Sequence, residues 1–142
     1  MIKLKWIIYS FLAIIFFVSA GFTITQQTKP QNQDPGVGPV KNVVTGPIDT
    51  KMVADGKKIY LAKCVVCHEL DTKKIGPPLR NITKERTPEY IMNLLVNAVQ
   101  MQKQDPFVKD LLKKYNNVLM PDPAISQAQA RTVLEYLRSV AK

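Results

Sequence analysis

Both cysteines of the chain and its one histidine stand in five consecutive residues, Cys64-Val65-Val66-Cys67-His68. Two thiols three positions apart suit thioether bonds to the two vinyl groups of one porphyrin, and the adjoining imidazole then lies beneath the iron as an axial ligand. The expectation is one covalent haem c per chain, carried by Cys64, Cys67 and His68. Competing chemistries fit less well. A redox disulfide of thioredoxin type needs a strand-turn-helix context that the flanking residues lack. A tetrahedral zinc site needs more ligands than two cysteines and one histidine, and His68 is poorly placed to join both neighbouring thiolates on one ion.

The second axial position on such an iron is narrowed by elimination. No other histidine exists, so bis-histidine ligation within one chain is excluded. Beyond the first 24 residues the methionines are Met52, Met92, Met101 and Met120. Met120 is the best placed, in the helix-free, proline-braced stretch Val118-Leu119-Met120-Pro121-Asp122-Pro123. Met52 and Met92 fall within predicted helices and read as core filler. Met101, at a predicted helix end, and an open or lysine-filled position remain the alternatives. A soft thioether favours ferrous iron, so His/Met ligation raises the reduction potential. A closed six-coordinate iron passes electrons well and binds small ligands poorly.

Helices must position these residues, and their punctuation is legible. Met52, Gly56, Ile59, Tyr60 and Lys63 share one face, with Asp49 or Thr50 as cap, predicting a helix from about Lys51 into the cysteine motif. Thr87-Pro88 is an N-cap followed by proline at the first helical position, ahead of the stripe Tyr90, Ile91, Leu94, Leu95 and Ala98. Asp105-Pro106 repeats that start before Val108, Leu111, Leu112 and Tyr115. Ser126-x-x-Gln129 is a capping box opening a last helix that turns Val133, Leu134, Leu137 and Val140 inward. No segment has strand periodicity. The predicted class is all-α, with four to five short helices around one haem. A domain spanning 48–142 has a marginal core of its own, so the buried porphyrin is expected to nucleate packing and the apo chain to fold poorly.

Two segments precede that domain. Lys3 and Lys5 lead an uncharged apolar run from Trp6 to Ile24, long enough at ~1.5 Å per residue to cross ~30 Å of hydrocarbon. Residues 1–24 therefore read as a transmembrane anchor or as a signal peptide, with Val18-Ser19-Ala20 as a possible cut site. On either reading the lysines stay inside and the remainder is exported. Residues 25–47, rich in Gln, Asn, Pro and Gly, read as a flexible linker with too little apolar surface to offset ordering entropy. The formal charge is +9, from 20 basic and 11 acidic residues. Losing Lys3 and Lys5 leaves 18 against 11, or +7. Nucleic acid is not an expected partner of an exported haem domain. Lys57, Lys58, Lys63, Lys73 and Lys74 would steer a haem edge toward acidic redox proteins.

Gly56 to His68, the loop Gly76-Pro77-Pro78-Leu79, Met120-Pro121 and Leu134-Glu135-Tyr136-Leu137, in that order, resemble the class I (mitochondrial-like) monohaem c-type cytochromes of bacteria. The likeness covers about 50–142. It implies that Gly76 opens the loop after the motif and that the Pro77 carbonyl accepts a hydrogen bond from the non-ligating nitrogen of His68. It also implies that Gly56 lets the first and last helices cross closely against Tyr136, with Tyr60 nearby. Two departures stand out. The one tryptophan, Trp6, lies in the leader, leaving Arg80 and Arg86 as candidates to hold a haem propionate. Gln100 to Asn117 carries an extra helix pattern, expected to shield the haem or to shape a docking face.

The function so implied is one-electron transfer on the outer, periplasmic face of the bacterial inner membrane, by a monomeric carrier rather than an enzyme. A quinol-oxidising complex and a terminal oxidase or nitrogen-oxide reductase would be its partners. Two further readings stay open: a fixed subunit of a respiratory complex, and a peroxidase or gas sensor with a labile methionine.

Overall fold

The computed structural model describes residues 33–142. The predicted anchor or signal at 1–24 and the start of the predicted linker lie outside the described residues. Among the described residues there are no strands, and no helix is long and apolar enough to cross a membrane. The described residues form six α-helices in order: α1 (Thr50–Lys63), α2 (Ile82–Glu85), α3 (Pro88–Val96), α4 (Ala98–Gln104), α5 (Pro106–Lys114) and α6 (Gln127–Val140).

The predicted start signals act as such. Asp49 caps α1 by accepting from the Lys51 and Met52 N–H groups at 2.9 and 3.0 Å. Thr87 and Asp105 accept from Tyr90 and Val108, each followed by proline at the first helical position. Ser126 and Gln129 form the reciprocal capping box of α6. Each such cap contributes on the order of 1 kcal/mol. Sequence periodicity ran α3 on to Ala98, whereas the chain breaks at Asn97 (φ −144°, ψ 35°). That residue hands the chain to α4, and α2 is a single short turn that no sequence signal marks.

Helices α1 and α6 form the most extensive pair, packed around Tyr60, Val133, Leu134 and Leu137. A Cβ on Gly56 would come within 1.9 Å of the Thr132 carbonyl oxygen, so only glycine permits this crossing. The contact falls one turn before Tyr136, whose ring meets Tyr60 at 5.2 Å between centroids. Glu135 is buried on the same helix among Arg131, Arg138 and the Asp49 N–H. Burial works to raise its pKa, but the hydrogen bonds from Arg131, Asp49 and Arg138 outweigh it and hold the carboxyl below the usual range.

The described part of the predicted flexible linker corrects that expectation. Residues 34–49 form a strap, docked over 34–43 and tied again at Gly46 and Asp49. Val40 is buried, its N–H and carbonyl both bonded to the Asn93 amide at 2.9 Å, and Asn93 also donates to the Pro35 carbonyl at 2.8 Å. Asn97 donates to the Val37 carbonyl, Thr87 to the Asp34 carbonyl, and Glu89 accepts from the Val43 N–H. Composition misled here because the compensating polar groups sit on α3, about fifty residues away in sequence. The strap needs little apolar surface when its backbone is satisfied by buried amides.

Candidate functional site

Past Lys63 the chain keeps winding: the Cys67 and His68 N–H groups both donate to the Cys64 carbonyl, at 3.1 and 2.9 Å. This turn directs Cys64, Cys67 and His68 into one cleft of about 1360 Å³, measured with its open mouth. The cleft walls are almost wholly apolar. Tyr60, Val133 and Leu137 come from the α1–α6 pair, Ile91, Leu94 and Leu95 from α3, and Leu111, Leu112 and Tyr115 from α5 and its end.

His68 Nδ1 lies 2.8 Å from the Pro77 carbonyl oxygen, which can only accept, so Nδ1 carries the proton and Nε2 keeps a lone pair. Burial lowers the imidazole pKa, and the Pro77 bond opposes this without overcoming it, so the ring stays neutral. Gly76 is obligatory for the approach: a Cβ there would stand 2.3 Å from His68 Cε1. The Gly76 N–H in turn donates to the Cys67 carbonyl at 2.8 Å, tying the loop back to the motif. Burial pushes the Cys64 thiol up, so it lacks the activated thiolate of a dithiol redox site. Among the described residues no three His, Cys, Asp or Glu side chains converge on a metal position.

Met120 and its neighbour Pro121 line the same cleft as His68. Met92 and Met101 are instead core. Met101 is fully buried under the strap, its sulfur accepting from the Val37 N–H at 3.0 Å, and the alternative of a Met101 ligand falls with that placement. Gln102 went unnoticed in the sequence. Its buried amide holds the Met120 backbone, and the available signal was a glutamine four residues after Ala98 on an inward-facing stripe.

Neither of the two arginines lines the cleft itself. Arg80 pairs with Asp71 and donates to the Val140 carbonyl, fastening the end of α6 to the segment before α2. The Arg86 guanidinium stacks over Phe107 at 3.6 Å and over Tyr90 at 5.2 Å. Both rings line the cleft, so Arg86 stands behind its wall rather than in it. The 100–117 stretch, by contrast, supplies a wall of the cleft through α4, α5 and Tyr115.

A deep apolar cleft with two thiols, a neutral imidazole and a thioether on its walls fits a porphyrin, and it defines an all-helical covalent-haem protein. The cytochrome c family model matches residues 53–141. Cytochrome c from Rhodothermus marinus superposes with a TM-score of 0.71 at 45% identity, over 73% of this chain and 90% of that one. The cytochrome c domain of the pp3183 protein from Pseudomonas putida gives a TM-score of 0.53 at 26% identity, over 59% and 85% of the two chains. Cytochrome c-551 from Azotobacter vinelandii is 25% identical over 84 residues, covering 58% of this chain and 93% of that protein. The chain belongs to the cytochrome c family. Its class I monohaem resemblance and its all-α fold stand, as does covalent haem c as the cofactor of an electron-carrying fold.

Proposed function

We propose that this protein shuttles single electrons between respiratory complexes on the outer face of a bacterial inner membrane, with His68 and Met120 as axial ligands. The observation that carries the reading is the pairing of two soft or neutral donors in one apolar cleft: an imidazole oriented by Pro77 and a thioether on a loop. Covalent haem c supplies the one-electron Fe(III)/Fe(II) couple. The chain's own residues orient the ligands and exclude water. The apolar walls disfavour the extra positive charge of the oxidised site, which raises the potential in the same direction as the thioether.

Docking would occur at the cleft mouth. Ile75, Val118 and Leu119 line it and are exposed. Lys63 also lines the cleft, and Lys73 and Lys74 stand beside Ile75 in the chain. An apolar centre with a basic surround suits acidic-faced partners such as a quinol-oxidising complex and a terminal oxidase or nitrogen-oxide reductase.

The test is spectroscopic. Oxidised protein should show the near-infrared sulfur-to-iron band, Met120→Ala should abolish it, and reduced wild type should fail to bind carbon monoxide. Avid carbon monoxide binding by the wild type would instead favour a sensor or peroxidase.

A further inference from the structure

Met120 sits in a stretch with almost no fastenings of its own. Among the described residues, no backbone–backbone hydrogen bond involves residues 119–125. Two of those seven are prolines without an N–H, Ala124 stands at a positive φ of 49°, and Leu119 is exposed. A thioether presented from such a segment would have many conformations to lose on binding iron.

Gln102 answers this. Its Oε1 accepts from the Met120 N–H at 2.8 Å, and its Nε2 donates to the Met120 carbonyl at 2.9 Å. The same Nε2 donates its other hydrogen to the Ala98 carbonyl one helical turn earlier, at 3.1 Å. Three partners fix the orientation of the amide, since a flipped group would set oxygen against two carbonyls and nitrogen against an N–H. Gln102 is buried and its two bonds to Met120 are part-buried, which limits competition from water. A second tie, from Lys63 Nζ to the Pro123 carbonyl at 2.9 Å, is exposed.

We propose that Gln102 is a positioning residue that sets how firmly the sixth coordination position stays closed. It holds the Met120 backbone so that the thioether is presented rather than searched for. This rests on the reading of Met120 as axial ligand. The α4 segment thereby has a task besides walling the cleft: one face carries Met101 under the strap, and the adjacent residue secures the ligand loop.

The experiment uses full-length holoprotein as wild type, Gln102→Leu, Gln102→Asn, Met120→Ala and Val40→Ala. The last weakens the core at the strap, at a residue that does not line the cleft. Imidazole is titrated into each oxidised protein while the sulfur-to-iron band is followed. Two lost hydrogen bonds should tighten apparent imidazole binding by about tenfold or more in Gln102→Leu. Gln102→Asn, one methylene short, should fall between it and wild type. Val40→Ala should bind imidazole as wild type does even if its melting temperature drops as far. Equal imidazole affinity in Gln102→Leu and Val40→Ala, with the band present in wild type and absent in Met120→Ala, would overturn the role of Gln102 and leave the ligand reading intact. A wild type without the band, or Met120→Ala retaining it, would sink both.

Discussion

Two extended segments of this molecule, the strap at 34–49 and the loop at 117–126, are built from similar residues and fastened in different ways. Both are rich in proline, asparagine and small polar residues, and both lie against helices without being helical. The strap is held along its length by Asn93, Asn97, Thr87, Glu89 and Arg138, with Val40 sunk to 5% exposure. The loop leaves Val118 and Leu119 at 50% and 67% exposure and is clamped by one buried side chain, Gln102. No strap residue lines the cleft among the described residues, whereas the loop forms part of its wall. If Met120 ligates the iron as proposed, stability and ligand control are carried by different fastenings and should respond separately to mutation.

Asn93→Ala should have the largest effect on stability. It strands the Val40 N–H and two strap carbonyls under a helix, at about 3 kcal/mol in total from roughly 1 kcal/mol per lost bond. Chemical denaturation should detect the loss while the visible and near-infrared spectra of the folded holoprotein stay unchanged. A spectral change would show that strap and loop are coupled.

Glu135→Gln comes next, at about 2 kcal/mol near neutral pH, because it leaves Arg131 and Arg138 without their carboxylate and weakens the bond at the strap's end. The folded-state pKa of Glu135 is depressed, so its contribution is complete above the ordinary carboxylate pKa and is lost as pH falls through the lower folded value. Melting temperatures measured from neutral to acidic pH should therefore converge for wild type and Glu135→Gln at the acid end.

Gly76→Ala should cost less in global stability yet disturb the iron, since the added methyl must displace the His68 ring. The expected readout is an altered Soret band and a lowered reduction potential, with helix content retained. Lys63→Ala should do least. An exposed tie to Pro123 is worth at most about 0.5 kcal/mol, and imidazole affinity should stay within about twofold of wild type. A large rise in affinity would mean that the exposed tie, and not the buried amide, controls the loop.

Much of this was legible in the residues. Caps at Asp49, Thr87, Asp105 and Ser126 act within three residues of themselves, so their geometry is encoded locally. Cys64 to His68 is a contiguous motif and its chemistry follows from composition and spacing. The partners of Arg80 and Arg86, namely Asp71, Val140 and Phe107, were not legible because only packing reveals them. The break at Asn97 was hidden because Ala98 continues the apolar period of α3.

By itself the sequence determined the helical class, the covalent cofactor and the short list of candidate iron ligands, since these depend on near neighbours and on which side chains exist at all. Only the tertiary structure decided that a polar, proline-rich stretch is a strap, that Met101 is core while Met120 lines the cleft, and that Gln102 grips the loop. The reason is physical: a hydrogen bond between an amide and a distant backbone is invisible to any local pattern, and its value appears only once burial has removed the competing water.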